Sequence, residues 1–530
     1  MPTTTEQGAP GALDTACMAE DLFTDRDLRQ MAELGIRPEE AIRQIELFRN
    51  PRPYTRVLRP CTPGDGIRNF FDSDHPELLA VFEEAAAQGR IGKFVPASGA
   101  ASRMFKPLLG YLNDDAAEPP SEVRSFFASL PRFAFRDDLA AALRRDGLDL
   151  EELLRKGDHR TVLGYLLTGR GLGYEDLPKG LLRFHRYPDG ARTAFEEHLV
   201  EAAAYTRDAD GGCRLHFTVS PEHEQGFVRL LEEVRPRYEE RYGCRFLVTF
   251  SHQARSTDTL AVDPENRPFR QEDGTLLFRP GGHGALIENL QALGALGWDV
   301  VLIKNIDNVV PDRRKEVGLL WKKLLAGALL ALQKRVFGYL ARLEAGPAPL
   351  ELLDEVDKFL ADDLSLAVPA DMGVAGSEAR RRYLVKLLDR PLRVCGVVRN
   401  LGEPGGGPFW VESPACDVSS LQIVETSQID PEDREQQAIL KSSTHFNPAD
   451  VACALRNRHG RPYDLKQYID PKTVFIASKS HEGRPLKALE RPGLWNGAMA
   501  CWNTVFVEVP DETFAPVKAV VDLLRPEHQG

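Results

Sequence analysis

The chain has 530 residues, 42% hydrophobic and 28% charged, a balance that excludes fibrous and disordered classes. At this length a large core forms without a metal or disulfide staple, and two or three lobes are expected. The net charge of -12 argues against nucleic acid as a partner, because phosphate-backbone binding needs a basic face.

The predicted elements begin after a Gly/Pro/Thr-rich start. Pro38-Glu39-Glu40 places a proline and acids in a first helical turn, and Ala41, Ile42, Ile45 and Phe48 follow at helical spacing. Residues 1–90 read as a helical N-terminal region. Lys93-Phe94-Val95 is a strand candidate, followed by the small-residue loop P-A-S-G-A-A-S-R. Residues from about 111 to 176 carry repeated helical periods, such as Leu139, Leu143 and Leu148, and read as a helical insertion. Strands return at Leu215–Val219, Phe246–Phe250 and Asp299–Lys304, with helical segments between. This alternation predicts an α/β fold with a largely parallel central sheet covered on both faces. A helical excursion spans about 315–388. The chain then re-enters the sheet at Val394–Val398 and Leu421–Val424, closing a core of 91–430. Residues 431–530 read as a C-terminal α/β lobe with strand Thr504–Val509 and a closing helix at Val517–Leu524.

The eight cysteines, Cys17, Cys61, Cys213, Cys244, Cys395, Cys416, Cys453 and Cys501, show no C-x-x-C pair and no zinc spacing, and they read as free thiols. The N-terminus has no secretory pattern. The most apolar stretch, Leu319–Leu332, is too short to cross roughly 30 Å of hydrocarbon. A cytoplasmic location with no membrane partner and no obligate protein partner is expected.

Three segments carry candidate chemistry. Ala97-Ser98-Gly99-Ala100-Ala101-Ser102-Arg103 follows a strand end and offers backbone N–H groups suited to phosphate, or simply a turn. Arg279-Pro280-Gly281-Gly282-His283-Gly284 sets glycines around an imidazole, which permits close backbone approach to a planar ligand. Asn305-Ile306-Asp307-Asn308 ends an apolar strand, where Asp307 either holds Mg²⁺ or caps an Asx turn.

Taken in order, these segments resemble the nucleoside-diphosphate-sugar pyrophosphorylases, especially the UDP-sugar and UDP-N-acetylglucosamine branch. Pro96–Arg103 is similar to that family's L-A-G-G-x-G-T-R loop, with Ser98 and Ala101 standing where the family has glycines. Pro178-Lys179-Gly180 resembles its P-K-G motif, and Phe250-Ser251-His252-Gln253 its F-x-Q strand end. Pro280–Gly284 resembles P-x-G-[NH]-G, and Asn305–Asn308 its V-D-N metal strand. Ile423–Ser427 resembles V-E-Y-S, Phe446-Asn447 the F-N ahead of the sugar contacts, and Val507 to Lys518 the pattern E-V-x-x-x-x-F-x-P-x-K. The chain is also identified as a member of a bacterial family of unknown function that shares the string P-A-S-G-A-A-S-R-M-F-K.

The resemblance implies a nucleotide-diphospho-sugar transferase-like fold and a nucleotidyltransferase that forms a nucleotide sugar and pyrophosphate from a nucleoside triphosphate, UTP favoured, and a sugar 1-phosphate. Arg103, Lys179 and Lys518 would neutralise the reacting phosphates. Ala97, Ser98, Gly99, Ala100, Gln253 and Gly282 would meet the nucleotide, and His283, Glu425 and Asn447 the sugar or its phosphate. Asp307 would anchor Mg²⁺. Two alternatives remain open at this point: a glycosyltransferase of related fold, and a sensor that binds nucleotide sugars without turnover.

Overall fold

In the computed structural model, residues 22–50, 54–114, 118–366, 369, 376–402, 405–412, 416 and 418–529 are described. The chain enters through α1 (Asp25–Leu34) and α2 (Pro38–Arg49). A Thr24–Asp27 capping box starts α1, and Gly35 stops it at φ 72°, the left-handed geometry that glycine adopts without steric cost. Residues 57–68 depart from the helical reading of 1–90: they form β1 (Val57–Pro60), β2 (Thr62–Pro63) and β3 (Gly66–Arg68). Pieces this short carry no period of their own, and β1 and β3 find partners beyond residue 400 while β2 pairs with β3.

Next come α3 (His75–Ala87) and β4 (Ile91–Pro96). Five helices then build the insertion: α4 (Lys106–Asn113), α5 (Ser121–Ser129), α6 (Arg136–Arg145), α7 (Leu150–Lys156) and α8 (His159–Leu167). The hairpin β5 (Arg183–Tyr187) and β6 (Gly190–Thr193) leads into α9 (Ala194–Tyr205), followed by β7 (Gly212–Thr218), α10 (Glu224–Tyr242) and β8 (Arg245–Ser251). The small pair β9 (Thr259–Leu260) and β10 (Phe278–Arg279) precedes α11 (Leu286–Ala295) and β11 (Val300–Ile303). Helices α12 (Lys315–Glu344), α13 (Leu350–Leu364) and α14 (Ser377–Leu388) make the excursion. The remainder is β12 (Leu392–Arg399), β13 (Gly407–Val411), β14 (Ser420–Val424), α15 (Arg434–Lys441), β15 (His445–Ala454), β16 (Phe475–His481), β17 (Arg484–Glu490) and β18 (Asn503–Glu508).

Nine strands join in the order β2-β3-β18-β12-β15-β11-β4-β7-β8. Every neighbouring pair is parallel except those of β15, which runs antiparallel to both β11 and β12. The fold is thus the α/β, mostly parallel class that the sequence predicts. Strand β11 accounts for the apolar run: Val300 and Leu302 pack in one core cluster with α12 and α13, while Val301 and Ile303 pack in the other with α11. A strand covered on both faces has no position for an exposed polar side chain.

Four expectations are corrected. Strand β14 lies in a separate sheet, β1-β13-β14, rather than in the central one. The C-terminal hundred residues are not a lobe apart, since β15 and β18 complete the central sheet. The closing helix is only a 3-10 turn, Val520–Leu524. Cys416 and Cys501 form a disulfide across 85 residues, a separation at which spacing gives no signal. Among the described cysteines Cys61, Cys213, Cys244, Cys395 and Cys453 are free thiols, and Cys17 lies outside the described residues, as does the N-terminal segment read for targeting. The apolar stretch around Leu319–Leu332 is part of the 30-residue α12, long and apolar enough to cross a membrane, but 61% of its most apolar window is buried inside the molecule.

Candidate functional site

The parallel strands all point their carboxyl ends to one edge, and the candidate segments leave from that edge. The loop after β4 carries Ala97–Ala101, the loop after β8 carries Gln253, and the loop after β11 carries Asn305–Asn308. Because β15 runs the other way, its first residues, including Asn447, also reach this edge. Strand β4 lies between β7 and β11, so the chain leaves β4 toward one side and later returns on the other. Such a reversal opens a crevice at the carboxyl ends of the strands.

The loop after β4 is strapped from outside. Ala97 N–H donates to the Thr218 carbonyl at 2.8 Å, Ala101 N–H to Leu177 at 3.1 Å, and Lys179 N–H to Gly99 at 3.2 Å. The last two form the Ala100–Pro178 bridge, which brings the two motifs together across the helical insertion. The N–H groups of Ser98, Gly99 and Ala100 stay outside these bonds. A Cβ at Gly99 would meet nothing within 4 Å, so internal packing does not demand the glycine and its open side faces outward. Ala101 is fully buried, so its methyl points into the core rather than over the crevice.

Lys179 reaches Asp307. Its Nζ donates to Asp307 Oδ2 at 2.6 Å and to the Val517 carbonyl at 2.7 Å, with side-chain exposures of 15% for the lysine and 19% for the aspartate. The pair is therefore largely desolvated yet open to one side. Val517 N–H returns a bond to the Asp307 carbonyl at 3.1 Å. Asn308 Oδ1 accepts from Ala515 N–H at 2.9 Å, and its Nδ2 donates to the Thr513 carbonyl at 3.3 Å. The C-terminal segment is thus stitched onto the strand end that carries Asp307. Gly180 has no room for a side chain, since a Cβ would lie 2.7 Å from the Phe227 ring.

A second cluster forms around His283. Its Nε2 lies 3.5 Å from Glu425 Oε1, its Nδ1 accepts from Leu494 N–H at 3.3 Å, and its ring centroid is 4.8 Å from that of Trp495. Glu425 Oε1 also accepts from Asn496 Nδ2 at 2.8 Å. His283 beside it, with Asn496, holds the Glu425 carboxyl below its ordinary range despite partial burial. Gly282 takes φ 74°, a conformation that favours glycine. Gln253, half-buried, sits next to His252, whose carbonyl accepts from Asn289 Nδ2 of α11 at 2.8 Å; α11 begins directly behind the glycine-rich turn.

The structure therefore joins Ala97–Ala100, Lys179, Asp307 and the backbone before Lys518 in one cluster, and Gly282, His283 and Glu425 in another. Among the described residues no hydrogen bond links the two. Arg103 and Lys518 are exposed, follow the Ala97–Ala101 loop and Val517 closely in sequence, and make no ion pair among the described residues. Asn447 is buried, and its neighbour Phe446 packs on Phe514 with ring centroids 5.3 Å apart. Trp495 and Asn496, which support His283 and Glu425, carry no signal in the sequence. Their segment acquires meaning only by packing against the glycine-rich turn, where Gly493 is so close that a Cβ would lie 2.4 Å from the His283 ring.

One Asp is a poor cage for a resident cation. Among the described residues no group of three or more His, Cys, Asp or Glu side chains is placed to hold a metal. A lone carboxylate does fit Mg²⁺ that arrives on substrate phosphates, since that ion keeps waters and takes one or two protein oxygens. A cavity of about 830 Å³ lies behind the glycine-rich turn, bounded by Gln44, Leu47, Ala285 and Arg491. Lys179, Asp307, His283 and Glu425 do not line it, and two ion pairs lie on its wall, Arg43 with Glu40 and Lys466 with Glu288.

Fold and site together define an α/β protein with a lysine–aspartate cluster at the carboxyl edge of a mostly parallel sheet. The chain belongs to the family described as Domain of unknown function (DUF4301), whose model matches residues 24–529. No curated protein matches the sequence. Among solved structures the chain is similar to a UDP-N-acetylglucosamine pyrophosphorylase from Trypanosoma brucei in complex with inhibitor, at 14% identity and TM-score 0.47, covering 97% of this chain and 81% of that one. It is also similar to a mutant UDP-glucose pyrophosphorylase from Leishmania major in complex with UDP-glucose, at 13% identity and TM-score 0.46, covering 94% of this chain and 77% of the other.

Proposed function

We propose that the protein is a nucleotidyltransferase that joins a nucleoside triphosphate, UTP favoured, to a sugar 1-phosphate and releases pyrophosphate. The observation that carries this reading is the Lys179–Asp307 pair, 2.6 Å apart beside the outward-facing Ser98–Ala100 backbone. One phosphate chain can reach all three. The sugar phosphate oxygen would attack the α-phosphorus in line, forming one P–O bond while the bond to the departing pyrophosphate breaks. Such chemistry asks mainly for positioning and charge neutralisation.

Within that reading the Ser98, Gly99 and Ala100 N–H groups bind phosphate oxygens, and Lys179 exchanges part of its bond to Asp307 for the substrate. Arg103 and Lys518, both exposed, close on the triphosphate tail. Mg²⁺ bound to substrate phosphates would supply further charge neutralisation, with Asp307 as its protein oxygen. Gln253 and Gly282 meet the base, while His283, Glu425 and Asn447 receive the sugar; the Glu425 carboxylate, kept ionised by His283, suits a sugar hydroxyl donor. A cytoplasmic location belongs to the same proposal.

The test is pyrophosphate release from purified protein with Mg²⁺, the four common nucleoside triphosphates and a panel of sugar 1-phosphates. Release that depends on one sugar is expected. Saturable binding of a nucleotide sugar with no release under any combination would instead identify a sensor. Asp307→Asn, which keeps the shape but removes the negative charge and leaves one neutral oxygen, is expected to raise the Mg²⁺ concentration for half-maximal release by about tenfold or more. An unchanged Mg²⁺ requirement would remove Asp307 from the metal role.

A further inference from the structure

Helix α9 is unusual for a surface-layer helix in that ten of its twelve residues are buried, which leaves it almost no solvent face. Four of the buried side chains are acidic or imidazole: Glu196 caps the helix start and pairs with Arg183 and Arg237, whereas Glu197, His198 and Glu201 bond to the turn after β11 or to the lysines that flank it. Glu201 Oε1 accepts from Lys304 Nζ and its Oε2 from Lys93 Nζ, both at 2.9 Å. His198 Nε2 lies 3.2 Å from the Ile306 carbonyl. A carbonyl only accepts, so this nitrogen carries the hydrogen and donates. Glu197 pairs with Lys315, whose Nζ also donates to the Val310 carbonyl at 2.8 Å and to Asp312 at 3.0 Å. Lys322 pairs with Asp450 and donates to the Ile303 carbonyl at 3.4 Å.

The turn from Ile303 to Asp312 is therefore held at its start and end by buried lysines and at its centre by the His198 ring, and Asp307 lies at its centre. A cluster of lysines beside a candidate phosphate site invites a second interpretation, that the lysines bind substrate. Space decides against it. The cavity that Lys304, Lys315 and Lys322 line with Tyr205 is only about 10 Å³, enough for a single water and not for a phosphate. Stability alone is also a weak reason for such a cluster, because apolar residues of equal volume often replace buried ion pairs without loss. What apolar side chains do not provide is a directed bond to a chosen carbonyl one residue before Asp307.

We propose that His198 and Glu201 are positioning residues that fix the 304–310 turn and so present Asp307 to Lys179. This rests on the nucleotidyltransferase reading only in what the positioned carboxylate then does. Burial, with Lys93 close by, keeps the His198 pKa well below its ordinary value, consistent with a neutral ring that donates through Nε2. Burial pushes the Glu201 carboxyl up, but Lys304 and Lys93 hold it well below the usual range, so it stays an anion shared by two strands.

The experiment compares the full-length protein with His198→Phe, which keeps a ring but loses the donor, His198→Gln, which keeps a donor, and Glu201→Gln. Amide exchange across residues 305–310, thermal midpoint, kcat and KM are measured for each. His198→Phe is expected to speed exchange in that segment about tenfold or more while exchange elsewhere in the sheet stays unchanged. It should also lower kcat by about tenfold to a hundredfold with little change in KM, and His198→Gln should recover part of both. Glu201→Gln should shift the same segment, and it decides the matter if His198→Phe does not fold. Wild-type exchange and kcat in His198→Phe would overturn the proposal, as would exchange that rises uniformly over the molecule. If the wild-type protein neither turns over nor binds nucleotide, the nucleotidyltransferase reading fails, while the exchange measurement still decides whether His198 holds the turn.

Discussion

At Lys179, truncation to Ala removes an ammonium that donates to Asp307 and to the Val517 carbonyl. If the pair serves catalysis, loss of that cation from the transition state is expected to lower kcat by about 10²–10³, read as pyrophosphate release at saturating substrates. A rise in KM with kcat unchanged would place Lys179 in binding rather than in chemistry. Lys93 makes a separate prediction. Full burial pushes its ammonium down to about 7 from an ordinary value near 10.5, although Glu201 opposes the shift. Below pH 7 both folded and unfolded chains carry the proton and the full cost of burying the charge is present. Between pH 7 and about 10.5 the unfolded chain binds a proton that the folded chain lacks, so stability rises with pH. Urea midpoints at pH 7 and pH 9 should therefore increase more for the wild type than for Lys93→Met, and equal slopes would mean that Lys93 stays charged throughout.

At the scale of elements, the C-terminal segment and the β11 turn act as one unit. Asn308→Ala removes an acceptor for Ala515 N–H and a donor to Thr513 at a site 2% exposed. Leaving those backbone groups unsatisfied is expected to cost about 1–3 kcal/mol, measured as a lower denaturant midpoint, with faster proteolysis of the chain after residue 510. The motifs before β5 were legible because their residue types are rare in combination: Pro178-Lys179-Gly180 stood out next to the small-residue loop, and the helical insertion between them was visible in its leucine periods. Their juxtaposition was not legible, since it depends on the Ala100–Pro178 bridge. The part played by Glu197, His198 and Glu201 is not legible in the sequence, because a charged residue on a helix is ordinarily solvated, and nothing local tells that α9 is covered all round.

For the whole molecule, the Cys416–Cys501 disulfide closes a loop of 85 residues between the β13–β14 region and the start of β18. Reduction releases that constraint on the unfolded chain and is expected to lower unfolding free energy by about 2–4 kcal/mol. The thermal midpoint with and without reductant, and that of Cys501→Ser, checks this; identical midpoints would mean that the two thiols do not pair in solution.

The sequence by itself determined the α/β class, because fully apolar strands such as Val300–Ile303 and helical periods between them are local patterns with a local cause. It also singled out Pro96–Arg103, Pro178–Gly180 and Asn305–Asn308, which the fold brings together. The tertiary structure alone decided strand order, the antiparallel course of β15, the removal of β14 to another sheet and the pairing of Lys179 with Asp307 across 128 residues. The physical reason is range: periodicity and turn chemistry act over a few residues, whereas a buried ion pair or a sheet neighbour is chosen by which surfaces the packed core brings within 3 to 5 Å.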